Sequence, residues 1–585
     1  MTQFAVAFSG LSSRSGPLSF GHSNILRAIT IDDDPTRLNL AMVFDAPADG
    51  GLDRVAEQLH TLVARHESLR TTYRPGTPVT QHVAGEGTLT VEVVDGGPDP
   101  LPAAERTARR MRSDVFDLSA DLPFRVAVVT ADGAPLHLVW VVSHAAMDVA
   151  ACEVLHAEWH ALSRGEPLPR PPALEPVDVV ELERTPSVKR LGEGAVRYWA
   201  ARIGEVPQAM FTLSHRTPAK NDWLHPGLHI RSRTAPAQLE AIAERTGASA
   251  SAVALAALTV LIGHRTRNAS VVTTSLSGNR VVRKLHGFFG SLAQDALLPV
   301  DLTGLDTFDD VVRQVRSAAL PAYRHSWFDP TAVWQVINGT SAQRGISFAR
   351  DLVFNDMSAL AAAAGSPEPS ALGRLPGVWI PGHQAPYEPD PELDGSLTWL
   401  PAEDIPCRFF SCLYRLEEEF ELTLWIDPCV LDKGEAEEFG RALLRLLRAA
   451  AASELPLAGL TSLTTLEPVG RDEDWYLSDR SWIELDAVRD LLSEVVGDSP
   501  HLVTTEPDER LGHRLVCHLV APTAPESVHE RTLVALPGRV TAMAPHRYLV
   551  HPVAPPADRV GDPAAWESLP VIADASGRTE GRESA

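Results

Sequence analysis

The sequence predicts an α/β (α+β) chain of several domains, on three observations. Strand-like and helix-like apolar spacings alternate up to about residue 450. At 585 residues the chain is too long for one compact core. Beyond residue 450 the pattern changes character and a shorter segment follows, with a polar end, 569–585, expected to be a disordered tail.

The elements follow in order. "LDRVAEQLHTLVARHESL" has the spacing of an amphipathic helix, and "PFRVAVVTADGAPLHLVWVVSH" reads as two apolar strands joined by an Asp-Gly turn. After this hairpin the spacing of Met147, Ala151, Val154 and Leu155 turns helical, which predicts His144 at a strand end and Asp148 at the start of a helix. Proline density in "PLPRPPALEPVD" predicts a connector between two halves. In the second half "SASAVALAALTVLIG" reads as a buried helix, and "ASVVTTSLSG" and "FELTLWIDPCVL" as strands. The Ala-, Pro- and Gly-rich stretch from about 358 to 405 is expected to be a long loop region. No internal repeat is evident.

Composition excludes several functions. A chain that is 44% hydrophobic and 22% charged is of globular type, and its net charge of −24 would repel phosphate backbones and anionic lipid, so neither nucleic acid nor membrane is an expected partner. "MTQFAVAFSGLSSRSG" lacks the basic start and apolar core of a secretory signal, and "ASAVALAALTVLIGH" is too short to cross a bilayer. Five cysteines cannot form a disulfide framework in so long a chain, and Cys407 and Cys412 lack the further Cys or His a zinc site needs. A cytoplasmic protein with reduced thiols and no metal is the expectation.

His144 and Asp148 stand four apart at the strand-to-helix junction. With 21 His and 76 acidic residues such a spacing arises by chance, and a packed strand-end histidine with Asp148 as N-cap is the plain alternative to catalysis. The order of the surrounding motifs is more specific. "SHAAMDV", "ARHESLRTTYR", "PLSFGHSNILRAI" and "FDLSADLPFRVAVV" come before residue 150. "VRYWAARI", "TGASASAVALAALTVLIGHRTRNASVVTTSLSGNR", "HGFFGSLAQDALLPVDL" and "FELTLWIDPCVLDKGEAEEF" follow it. Together, over about residues 17 to 450, they resemble the condensation domains of nonribosomal peptide synthetases, whose signature is His-His-x-x-x-Asp-Gly.

That resemblance implies two chloramphenicol acetyltransferase-like lobes in a V, here 1–182 and 183–455, with a tunnel between them. It implies His144 as the catalytic residue, acting as base or by orienting the acceptor and the tetrahedral intermediate. Asp148 and Arg280 would be structural, paired across the lobes. The family's first His is here Ser143, which cannot titrate and is at most an orienting group. Val149 replaces its Gly, and Ser291 stands where Asn is frequent. These departures leave open an unusual substrate or a scaffold without activity.

After a linker at 456–468, "GRDEDWYLSDRSWIELDAVRDLL" resembles the hinge motif of adenylate-forming enzymes at Gly470, Arg471, Ile483, Glu484 and Leu485, with Glu473, Leu477 and Arg480 as departures. Residues 469–568 are thus similar to a small adenylation subdomain without its large partner. Adenylation on that subdomain needs a lysine near its end to neutralise phosphate charge, and no lysine follows Lys433. The segment is expected to be non-catalytic, with a docking or support role.

There is no Gly-x-Ser-x-Gly elbow, dinucleotide fingerprint, phosphate-cradling loop or convincing carrier-domain serine motif. The expected function is therefore that of a free-standing condensation enzyme working in trans in natural-product biosynthesis. Its partners would be acyl-loaded carrier proteins, which deliver phosphopantetheine thioesters, and a small amine or carrier-bound acceptor. No cofactor would be bound by the chain itself. A non-catalytic scaffold or recruiting module, and a coenzyme A-dependent acyltransferase, are the alternatives.

Overall fold

The computed structural model describes residues 2–217, 224–360, 378–379, 387–390, 392–520 and 524–576. The first half is built on a six-stranded sheet that runs, edge to edge, Thr2–Phe8, Gly87–Asp95, Phe124–Ala131, Ala134–Ser143, Asn39–Asp45 and Val378–Trp379. Its central strands read as continuous apolar runs because both faces are covered. Val126, Val128, Leu138, Trp140 and Val142 face one core with Val55, Leu59 and Leu62 of the helix Gly51–Arg65. Ala127, Val129, Val139 and Val141 face the other, against Ala104, Ala108 and Met111 of the helix Pro100–Arg112. The predicted Asp-Gly turn joins the two strands, with Asp132 at φ 51° and Gly133 at φ 81°, the left-handed pair that a two-residue hairpin requires.

The second half carries a seven-stranded sheet in the order Gln294–Asp301, Ser270–Ser277, Leu352–Asp356, Phe409–Arg415, Phe420–Ile426, Leu224–Ser232 and Gly395–Asp404. The helix Ala250–Thr266 is buried on nearly every side in its core, as an all-apolar helix must be. The strand Val378–Trp379, which lies between second-half strands in sequence, pairs in parallel with Ala41 and Met42 of the first sheet and so ties the halves together.

Two expectations are corrected. Within the predicted loop region of 358–405, Gly395–Asp404 is an edge strand that pairs along Leu224–Ser232. Its polar residues and Pro401 disguised it; the register shift between Leu400 and Glu403 accommodates that proline, as only an edge position allows. Residues 361–377, 380–386 and 391 of that region lie outside the described residues. Within the predicted disordered tail of 569–585, Ala573–Ser576 forms a strand against Arg547–Val550, while 577–585 lie outside the described residues.

The carboxy-terminal segment begins with a hairpin, Trp475–Ser478 and Ser481–Glu484, and a helix, Leu485–Val496. A four-stranded sheet follows, in the order His501–Asp508, Gly512–Leu519, Arg547–Val550 and Ala573–Ser576. Its core takes in Ile346 of the second half beside Ile483, Leu491 and Leu515. Among the described residues no single helix is long and apolar enough to cross a membrane.

Candidate functional site at the junction of the lobes

The strand Ala134–Ser143 ends opposite Asn39, and a tight turn leads from it into the helix Val149–Ser163. Both lobes hold this turn through its backbone. The His144 N–H donates to the Leu38 carbonyl at 3.0 Å, and the Ala146 N–H to the Ser143 carbonyl at 2.9 Å. Tyr73 donates its hydroxyl to the Ala145 carbonyl at 2.8 Å from the first half, and Ser291 donates its own to the His144 carbonyl at 2.5 Å from the second. The Ser143 hydroxyl accepts from the Ala145 N–H at 3.3 Å, so it orients the turn itself.

Asp148 is buried and accepts five hydrogen bonds. Arg280 reaches it with Nη2 on Oδ1 at 2.7 Å and Nη1 on Oδ2 at 2.8 Å. The N–H groups of Leu292 and Ala293 add bonds to Oδ2 at 2.9 and 3.2 Å. The N–H of Ala151 adds a fifth to Oδ1 at 3.0 Å, so Asp148 is also the N-cap of its helix. Burial alone would raise the carboxyl pKa, but the Arg280 charge and these bonds outweigh it and hold Asp148 below the ordinary carboxylate range. Arg280 also donates to the carbonyls of Gly278, Phe288 and Gly290, which makes it the hub of the loop that faces His144.

The His144 ring is otherwise unconstrained by polar contacts at Nδ1, which is buried without a hydrogen-bond partner among the described residues. The residue as a whole keeps part of its surface open. Burial lowers its pKa below the ordinary 6.5, against the pull of Asp148, so the imidazole is neutral at pH 7 and able to accept a proton. Val149 packs at once against the first-half core and against the cluster of Val353, Met357, Cys412 and Trp425 on the second sheet. It fills space where a glycine would leave room.

The structure thus brings His144, Ser143, Asp148, Arg280 and Ser291 together. It adds residues that sequence reasoning passed over. Gly21 presses on the Ser291–Leu292 backbone, where an added Cβ would stand 2.4 Å from the Ser291 carbonyl oxygen, so only glycine fits. Fully buried His22 lies 2.7 Å through Nδ1 from the Ser19 hydroxyl, and burial lowers its pKa to about 4. Both lie in the quoted "PLSFGHSNILRAI", but nothing in spacing shows that this helix start would meet residues 291 and 292.

The model of the family described as "Condensation domain" matches residues 24–368, more than half of the chain. Chondramide synthase cmdD of Chondromyces crocatus is 26% identical over 298 residues, covering 48% of this chain and 8% of that protein. The chain spans less than a tenth of the length of such relatives. Among solved structures, the X-domain from teicoplanin biosynthesis superposes with a TM-score of 0.57 at 20% identity, over 76% of this chain and 96% of that one. The condensation domain of the Monacolin K polyketide synthase MokA does so with 0.58 at 17%, over 76% and 99%. The fold is therefore the chloramphenicol acetyltransferase-like one that these domains share, and with the family match over most of both lobes, this chain belongs to the condensation-domain family of nonribosomal peptide synthesis.

Proposed function

We propose that this chain joins an acyl group, held as a thioester on the phosphopantetheine of a carrier protein, to an amine or, as the lesser case, a hydroxyl. The donor comes from outside these 585 residues, which contain no convincing carrier motif. The observation that carries the proposal is His144: a neutral imidazole on a turn whose carbonyls are fixed from both lobes. The acceptor nitrogen attacks the thioester carbonyl, the new C–N bond forms and the C–S bond breaks. The amine proton passes by way of His144 to the departing thiolate, or His144 only orients the amine. Holding both partners in one geometry supplies much of the rate. Asp148 and Arg280 are positioning residues for the turn and the facing loop.

Two lobes, 1–182 and 183–455, a linker at 456–468 and a carboxy-terminal domain are part of this proposal, the last extended to residue 576 because Ala573–Ser576 completes its sheet. That domain, without a lysine, does not adenylate and serves docking or support.

A second reading, a non-catalytic module on this fold, is favoured by Val149 filling the interlobe space and by the Ser143 hydroxyl being engaged within its own turn. The test offers acyl-loaded carrier and candidate amines to the purified chain, with acyl coenzyme A in parallel, and follows products by mass spectrometry. Wild type forms product from the carrier thioester, and His144→Ala slows it at least 100-fold. Unchanged rates in His144→Ala would remove the catalytic assignment. Consumption of acyl coenzyme A alone would make the chain a coenzyme A-dependent acyltransferase, and no consumption by a chain that still binds a carrier would favour the module.

A further inference from the structure

A groove of about 750 Å³ runs between the second lobe and the carboxy-terminal domain, lined by neither His144 nor Asp148. One wall is the helix Pro330–Arg344, which presents Val336, Gly339 and Ala342, with Ala200 of the helix Pro186–Ile203 beside them. The other is the helix Pro525–Ala535, which presents Glu526, Glu530 and Leu533. On each helix these positions are three or four apart, the spacing of a single helical face. The lining of the first wall runs from residue 335 to 343, about 12 Å of helix or two turns. Gly339 and Ala342 are exposed, and a Cβ placed on Gly339 would meet nothing within 4 Å, so the groove is open at its middle to another backbone.

The lining carries two carboxylates and no matching cation. No Lys or Arg lines the groove among the described residues, and Glu526 and Glu530 are both exposed and form no ion pair among them. His529, between them in sequence, is buried and engaged, with its Nδ1 3.2 Å from the Tyr548 hydroxyl. The two glutamates stand one helical turn apart, with Cβ atoms about 5–6 Å from each other, which is also the separation of two side chains four apart on a second helix. Val534, four positions beyond Glu530 and so on the same side of its helix, is 81% exposed and extends the apolar rim.

We infer that this groove is the docking site of a basic amphipathic helix from a partner protein. The helix lays its apolar side chains against Val336, Ala342 and Leu533, and two cations four residues apart along its edge face Glu526 and Glu530. A helix covers both walls at once, whereas a small molecule in so open a groove covers one. A chain of net charge −24 also draws a basic partner from a distance and repels an acidic one.

The test uses the full chain and two labelled synthetic peptides of the same length and helical pattern, with leucines on one face. One carries lysines four apart along the edge of that face, and the other carries glutamates in their place. Fluorescence anisotropy reads binding at low and at high salt. Saturable binding of the lysine peptide, weakened by salt, and none of the glutamate peptide are expected. Gly339→Leu fills the groove at an exposed helical position that has room for a side chain, and it weakens binding at least tenfold. Glu526→Gln combined with Glu530→Gln weakens it at least threefold, as the loss of two exposed ion pairs does. Asp49→Asn combined with Asp53→Asn makes the same charge change on the first lobe and leaves binding as in wild type. Failure of wild type to bind the lysine peptide overturns the inference, as does equal binding of both peptides or wild-type binding by Gly339→Leu. An equal loss in the Asp49 and Asp53 variant also overturns it, since the chain's overall charge would then explain the binding. Should Gly339→Leu not fold, the two charge variants decide. The readout involves no catalysis, so it stands apart from the assignment of His144.

Discussion

A histidine at the mouth of an apolar strand is poised by what surrounds it. His144 gains from its burial a pKa below 6.5, so it remains a competent proton acceptor as the pH falls toward that lowered value and is lost as an acceptor only below it. The acid limb of kcat/KM is therefore expected below pH 6.5, measured with an acceptor whose own pKa lies well outside the range. A limb at or above 6.5 would mean that some other group sets it. The place of His144 after a strand end and the pairing of Asp148 with Arg280 were legible in the sequence, because the order of motifs marks these positions. The engagement of the Ser143 hydroxyl with the Ala145 N–H was not, because a serine in a turn has several near neighbours and only folded geometry chooses between them.

At the level of elements, one carboxylate caps the helix Val149–Ser163 and fastens the loop 288–293 of the opposite lobe. Arg280→Met leaves Asp148 charged, buried and short of its counter-ion, which is expected to cost about 3 kcal/mol. Asp148→Leu combined with Arg280→Met should cost clearly less than the two single changes added, since the double variant strands no charge. Denaturant midpoints of the first unfolding transition measure both; strict additivity would show that the two side chains do not act as a pair. Elements with strong spacing, such as the helix Ala250–Thr266 and the hairpin of residues 124–143, were legible from sequence. The edge strands Gly395–Asp404 and Ala573–Ser576 were not, because an edge strand is held by backbone pairing and its side chains need no apolar alternation.

Across the whole molecule, the second lobe and the carboxy-terminal domain share structure. Ile346 lies in that domain's core, and Arg344 donates to Asp479 through Nε at 2.7 Å. Gln208 donates to the Ala542 carbonyl at 3.1 Å, and the Ala544 N–H donates to the Gly345 carbonyl at 2.8 Å. A chain ending at residue 468 would leave Ile346 and the charged Arg344 without these partners. It is expected to unfold at a lower temperature than the full chain and to bind a hydrophobic dye more strongly. Equal melting temperatures would show that the domain contributes nothing to the lobe.

The sequence by itself determined the α/β class, the motif order of the family, and the positions of His144, Asp148 and Arg280 within those motifs, because local apolar spacing and short motifs are written along the chain. Only the tertiary structure decided what faces them. The Gly21 contact with the Ser291 backbone, the Tyr73 and Ser291 bonds to the His144 turn, the wedge of Val149 and the Arg471 bonds to Thr212 and Thr266 join residues far apart in the chain. Such contacts depend on how the two sheets and the last domain close on one another, and no periodicity along the sequence encodes that closure.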